Sequence, residues 1–180
     1  MVFGGSSGAG LAIGAAARLP AVTALALWEP PYHVDETAPH LPDDFGAQLD
    51  GLVEDGRADD AVARFMTEAA EVPAEMVAAM RADPTWGDLV ALSHTLGREA
   101  AVMGPGNALP TARLAALSQP TLVLTGGASP PWMTRAGEAV AATIPAAVLR
   151  VIAGESHGVA AAPLASELLE FFTTVDAVAP

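Results

Sequence analysis

The chain contains no cysteine and no lysine. Without cysteine it has no disulfide bond, no thiolate nucleophile and no cysteine-bound zinc or iron–sulfur site. All eight cationic residues are arginine, against 21 acidic residues, so the formal net charge is −13. Such a surface repels polyphosphates and anionic lipids, so we expect neither nucleic acid nor a membrane as a partner. We also predict no bound metal and no cofactor.

Uninterrupted apolar segments long enough to span a membrane are missing too. Residues 8–28 are the most apolar stretch, but Arg18 and Pro20 interrupt it and no basic region precedes it. A short helix followed by a buried strand explains this stretch better. With no signal peptide in the sequence and no cysteine, the expected location is the cytoplasm.

Both ends of the chain alternate strand and helix patterns, as in an α/β protein with a parallel sheet of about four strands. The middle of the chain is acidic and has apolar residues at helical spacing. We therefore predict a core formed by residues 1–34 and 107–180, with residues 35–106 inserted as a helical cap or lid. The predicted strands are Met1–Gly4, Ala21–Trp28, Pro120–Thr125 and Ala147–Ile152; the predicted core helices are Ser7–Arg18, Pro131–Ile144 and Val159–Phe172.

The opening segment GGSSGAG, residues 4–10, has two interpretations. Glycines after a strand can hold a dinucleotide phosphate at a helix N-terminus, as in short-chain reductases. Those enzymes need a tyrosine followed four residues later by a lysine, whereas here the one tyrosine, Tyr32, is followed by Glu36. Glu29 could hold a ribose hydroxyl, but it comes sooner than the usual spacing of about 20 residues.

The second interpretation is a nucleophile elbow, because Gly4-Gly5-Ser6-Ser7-Gly8 satisfies the pattern G-x-S-x-G. The serine at the centre, Ser6, projects from a sharp strand-to-helix turn where flanking glycines prevent clashes. The helix that follows directs its positive end at the site, and the Ser7 N–H is the candidate oxyanion-hole donor.

An elbow serine needs a base, and His157 has the most suitable setting. It lies in GESHG, between the last predicted strand and the last helix. The alternative is a helix-capping or solvated loop histidine. His33 and His40 lie in a proline-rich acidic loop typical of a surface, and His94 falls in a lid helix, where a partly buried structural role competes with pocket lining.

The acid that would orient His157 is less obvious. Many hydrolases with an elbow carry an aspartate after the strand before the last, but here Ser129 holds that position, and a hydroxyl cannot stabilise an imidazolium as a carboxylate does. Glu29 follows the strand next to the elbow strand and should reach the same sheet edge. Its alternative roles are to cap the strand or to bind the lid. Glu155 is too close to His157 in sequence for their side chains to converge.

Four segments in this order resemble the α/β-hydrolase family: FGGSSGAGLA, ALWEPPY, PTLVLTGGASPPWM and GESHGVA. The resemblance implies a serine hydrolase that cleaves a small ester, lactone or similar acyl substrate through an acyl-enzyme, with Ser6, His157 and Glu29 as the triad. Its candidate substrate contacts are His94 and Trp132. A member of the fold that binds ligands without turnover is the main alternative, and a nicotinamide-dependent reductase is the third.

The resemblance also implies that the elbow strand is the fifth of eight, so that the segment before it and its oxyanion-hole donor are missing. The first strand would then be a bare apolar edge. A truncated gene product explains this, and so does pairing of the edge with a second copy or with a separate N-terminal half. A reduced fold that only binds ligands is the third explanation.

Overall fold

The computed structural model describes residues 1–178 and contains a four-stranded parallel sheet in which spatial order follows chain order. Parallel neighbours need long crossover connections, and here each crossover contains helices. The strands are β1 (Val2–Gly5), β2 (Leu25–Trp28), β3 (Thr121–Gly126) and β4 (Ala147–Ile152).

The α-helices differ in length, and those between β2 and β3 are mostly short. They are α1 (Ser7–Ala16), α2 (Phe45–Glu54), α3 (Ala58–Arg64), α4 (Ala74–Arg81), α5 (Trp86–Ala91), α6 (Leu96–Met103), α7 (Thr111–Ala115), α8 (Pro131–Thr143) and α9 (Ala161–Val178). A π-helical turn at Phe65–Ala69 continues α3, and 3₁₀ turns lie at Ser93–Thr95 and Pro105–Asn107.

The chain divides into two compact units. The sheet unit consists of Met1–Asp35 and the chain from Leu109 onward, and the helical unit is Glu36–Ala108. The helical unit has its own apolar clusters, one around Phe45 and Leu49 and another around Trp86. Whether this unit acts as a lid stays a prediction.

Both faces of the sheet are covered, which is why β2 and β3 are buried along their whole length. On one face α1 packs on β1 and β2, and α8 packs on β3 and β4. The opposite face carries a cluster that α9 covers: Ala26, Trp28, Leu122, Leu124 and Ile152, with Leu164, Leu168, Phe171 and Phe172 packed against it.

The predicted α/β fold with four parallel strands is confirmed, although β2 is shorter than predicted. It begins at Leu25 rather than Ala21, because the Val22 N–H donates to the Leu19 carbonyl in a turn. Val22 and Ala24 are buried all the same. Because these two residues are buried, the apolar pattern of the sequence extends beyond the residues of β2 that pair with neighbouring strands. Among residues 1–178, no helix has the length and apolar character needed to cross a membrane.

The elbow glycine Gly4 is needed for space rather than for backbone freedom. A Cβ at Gly4 would overlap the backbone of Gly8 and Ala9, because α1 crosses the end of β1 at very close range. Gly14 lies in the same helix with no atom near the position of a Cβ. The two glycines therefore respond differently to the same added methyl group.

We expect Gly4→Ala to lower the free energy of unfolding by about 1–3 kcal/mol, because backbone must move to admit the Cβ. Gly14→Ala should raise it by about 0.5–1 kcal/mol, since alanine favours the helix. Urea unfolding followed by circular dichroism measures both. Equal effects of the two substitutions would contradict the close approach.

β1 is an edge strand of the sheet described here, and Phe3 on it is 41% exposed. An apolar strand edge offers unpaired backbone groups to another chain. If two copies pair through β1, light scattering should give about twice the chain mass of 18.2 kDa. Phe3→Lys should then favour the monomer, whereas Leu169→Lys, at an exposed position of α9, should not. A wild-type monomer at all concentrations would exclude pairing between copies.

Candidate active site

Three predicted site residues follow strand ends at one edge of the sheet. Ser6 comes directly after β1, Glu29 directly after β2, and His157 lies in the loop after β4. Because the strands are parallel, these three positions share the carboxyl edge, where α/β proteins bind their ligands. The edge is therefore the candidate active site.

Ser6 has the backbone of a strained turn. Its φ of 55° and ψ of −130° lie outside the regions that residues with a side chain normally adopt. Such a conformation costs about 1–3 kcal/mol and persists where the surroundings enforce it. Here the Ser6 N–H donates to the Trp28 carbonyl at 2.8 Å, and the Ser6 carbonyl accepts from the Ala9 N–H at 2.9 Å. Helix α1 begins at the next residue, so the N–H of Ser7 lies at the helix N-terminus.

Glu29 is fully buried and also has a positive φ, 42°. Three contacts hold it. Its own N–H donates to the Leu124 carbonyl at 2.9 Å, and its Oε1 accepts from the Gly126 N–H at 2.7 Å. Its Oε2 lies 2.8 Å from Nδ1 of His157. The carboxyl group is thus bound to the end of β3 on one side and to the histidine on the other.

Burial alone would raise the pKa of the Glu29 carboxyl, but the hydrogen bonds from His157 and Gly126, together with the nearby Ser129 hydroxyl, outweigh it and hold the pKa below its ordinary value. Glu29 is therefore ionised at neutral pH. An ionised carboxylate can only accept, so the proton of this contact resides on Nδ1 of His157. The other ring nitrogen, Nε2, is then a free base in the neutral imidazole, and the side chain is 42% exposed.

The loop that carries His157 is held at several points. Gly154 turns the chain with a φ of 77°, and the Glu155 carboxylate accepts from the Ala160 N–H at 2.8 Å, just before α9. Glu155 thus turns away from His157, as its sequence position led us to expect. The indole Nε1 of Trp28 donates to the His157 carbonyl at 3.0 Å.

Ser129 follows β3, at the position where many hydrolases with an elbow carry an aspartate. Its buried Oγ is close enough to lower the pKa of Glu29. The hydroxyl nevertheless makes no hydrogen bond of regular geometry. Because a hydroxyl rotates freely, we treat it as a weak additional donor toward Glu29. The carboxylate itself comes from Glu29, one strand away.

The two predicted substrate contacts lie in different units. Trp132, at the start of α8 in the sheet unit, is buried, and its ring meets that of His33 edge-on with centroids 5.6 Å apart. His94 lies in the helical unit, is exposed, and its Nδ1 lies 3.1 Å from the Ala91 carbonyl. The prediction of a partly buried structural role for His94 is therefore wrong, because His94 is exposed and its ring contacts the neighbouring turn of the chain. Contact of either residue with a substrate stays a prediction.

Two cavities lie within the helical unit. One of about 370 Å³ is bordered by Met76, Met80 and Trp86. Trp86 is a core residue there, packed with Val62 and Val77. The other, of about 410 Å³, lies beside Phe45 and Gly97. Among residues 1–178, no group of three or more acidic or histidine side chains is placed to hold a metal ion.

Sequence reasoning missed two donors, the Gly126 N–H and the Trp28 indole. The backbone donor leaves no mark on the sequence. Trp28 does, since it ends a strand that is otherwise aliphatic, and a buried tryptophan normally finds a partner for its N–H. That partner lies 129 residues away along the chain, so the pairing could not be read from local pattern.

Comparison with known proteins bears on the fold. The sequence matches no protein-family model and no curated protein. Among solved structures, an α/β hydrolase from Sphaerobacter thermophilus is 47% identical, with a TM-score of 0.86, and the match covers 96% of this chain and 66% of that one. MenH from S. aureus is 18% identical, with a TM-score of 0.56, and the match covers 97% and 68% of the two chains.

A meta-cleavage product hydrolase from Pseudomonas fluorescens is similar at 16% identity and a TM-score of 0.56, with 96% of this chain and 64% of that chain covered. These distant similarities show the fold alone. The 47% identical hydrolase shows that the chain belongs to the α/β-hydrolase fold family. The chain spans 66% of the length of that relative.

The lowered pKa of Glu29 makes stability depend on pH. A carboxylate whose pKa is depressed in the folded state stabilises the fold above its ordinary pKa of 4.5, and this contribution is lost as the pH falls through the lowered value. At neutral pH, Glu29→Gln should therefore lower the free energy of unfolding by about 1.5–3 kcal/mol, the range for hydrogen bonds to a charged group.

The difference between wild type and Glu29→Gln should shrink well below pH 4.5, where the wild-type carboxyl is protonated. Denaturant titrations across this range measure it. Glu138→Gln, at an exposed position of α8, is the matched control and should change the free energy of unfolding by less than about 0.5 kcal/mol. A pH-independent difference for Glu29→Gln would contradict the ionised, hydrogen-bonded carboxylate.

Proposed function

We propose that this protein is a serine hydrolase that cleaves a small ester, lactone or similar acyl substrate through an acyl-enzyme. The observation that carries the proposal is the buried Glu29 carboxylate 2.8 Å from Nδ1 of His157. It leaves Nε2 as a base at the sheet edge where Ser6 occupies a strained turn. A buried carboxylate, an imidazole and a turn serine are the three groups that acyl transfer needs.

In the proposed reaction, Ser6 Oγ attacks the substrate carbonyl while Nε2 of His157 takes the hydroxyl proton. The imidazolium that forms is stabilised by Glu29, which stays ionised. His157 then gives the proton to the leaving group, and the acyl chain remains bonded to Ser6. A water molecule, deprotonated by the same nitrogen, hydrolyses the acyl-enzyme.

Negative charge develops on the carbonyl oxygen during attack. The Ser7 N–H at the start of α1 would donate to it, and the positive end of this ten-residue helix adds favourable potential. Removing one such donor costs about 10²–10³ in rate in well-studied hydrolases, so a second donor matters to the final rate.

The substrate class follows from the same chemistry. A neutral acyl compound suits a protein with a net charge of −13 better than an anionic one. Trp132 and His94 are the proposed substrate contacts. The proposed location is the cytoplasm, since the chain has no cysteine. In this proposal the Glu29 carboxylate binds His157, so it is not available to bind a ribose hydroxyl as the reductase interpretation suggested.

A fluorophosphonate probe tests the proposal, because it labels only a serine that a neighbouring base activates. We expect labelling of the wild type, none of Ser6→Ala, and labelling slowed by about 10²–10⁴ in Glu29→Gln. Ser118→Ala, at an exposed position before β3, should be labelled like the wild type. Failure to label well-folded wild type would favour the ligand-binding alternative.

A further inference from the structure

Trp28 is a buried aromatic residue that contacts the candidate site through the backbone of His157 and of Ser6. It is 3% exposed and packs in the cluster that α9 covers. Its one side-chain polar group, the indole N–H, donates to the His157 carbonyl at 3.0 Å. Because the indole is buried, its N–H has little access to water as an alternative partner.

His157 is thereby held at both ends by two consecutive residues. The indole of Trp28 binds its backbone carbonyl, and the carboxylate of Glu29 binds its ring at Nδ1. The backbone carbonyl of Trp28 also accepts from the Ser6 N–H at 2.8 Å. One dipeptide at the end of β2 therefore contacts both the elbow and the histidine.

The dipeptide is suited to this task because Trp28 is fixed in the sheet. It pairs in register with Gly5 of β1 and with Leu124 of β3, so strands flank it on both sides. The loop that carries His157 leaves β4, two strands away, and must cross the end of β3 to reach Glu29. A loop that spans this distance needs an anchor at its far point.

We propose that Trp28 is a positioning residue for the proposed hydrolase reaction: its indole N–H holds the His157 loop so that the imidazole stays on Glu29. This inference rests on the proposed function for its catalytic consequence, but the positioning itself is a property of the folded protein. Its alternative is that Trp28 only fills the core.

The test is Trp28→Phe, which keeps an aromatic ring in the core and removes the N–H. Trp86→Phe is the matched control, because Trp86 is equally buried and loses a comparable indole bond, to Asp59, within the helical unit. Proton NMR reads the His157 Nδ1–H, assigned by its loss in Glu29→Gln. We expect this proton to exchange with solvent about tenfold faster in Trp28→Phe and unchanged in Trp86→Phe.

Labelling by the fluorophosphonate gives a second readout. At saturating probe, the labelling rate of Trp28→Phe should fall about 10-fold to 100-fold, as expected for a displaced catalytic group, while the half-saturating probe concentration stays the same. Exchange and labelling rates equal to those of Trp86→Phe would overturn the proposal. Should wild type resist labelling, the proposed function fails while the NMR comparison still decides the role of Trp28.

A variant that does not fold is replaced by one closer in shape. 3-Benzothienylalanine at position 28 exchanges the indole N–H for sulfur and keeps the size of the ring system. If circular dichroism shows Trp28→Phe unfolded, this variant should fold and show the same faster exchange. Wild-type exchange in the folded sulfur analogue would overturn the proposal.

Discussion

The carboxyl edge of the sheet depends on one constraint: Glu29 is a buried negative charge, and every contact it needs comes from later in the chain. An ionised carboxylate without water is tolerated only where donors surround it. The Gly126 N–H and the His157 ring supply them, and Ser129 adds weakly. The end of β3 and the loop after β4 must therefore meet at the end of β2.

Close packing at the end of β3 makes that meeting feasible. A Cβ at Gly126 would overlap the carbonyl of Glu155, so the two loops approach each other backbone to backbone. The Ala128 N–H donates to the same carbonyl at 2.8 Å. Small residues at the end of β3 thus allow the loop after β4 to cross β3. His157 then lies near the end of β2, with Nδ1 of its ring bound to Glu29.

The sequence predicted those parts of this arrangement that rest on local pattern. Ser6 and His157 lie in short glycine-rich segments after strands, and Glu29 was found because parallel strands end at a shared edge. The four strands and the helical character of the middle also followed from the sequence pattern. The start of β2 did not, because burial at Val22 and Ala24 continues beyond the paired residues. The bond from Trp28 to His157 could not be predicted, since it joins residues 129 positions apart.

The order of the strands has a kinetic consequence. β1, α1 and β2 form a local unit, as do β3, α8 and β4, whereas the pairing of β2 with β3 must bridge the whole helical unit. Contacts between residues far apart in the sequence form late, because closing the intervening loop costs entropy before the contacts stabilise the fold. Glu29 is 97 residues from Gly126 and 128 from His157, and both contacts cross this last junction. The paired carboxylate and imidazole would therefore exist only in molecules that have completed folding, so partly folded chains would lack the base that the proposed reaction requires.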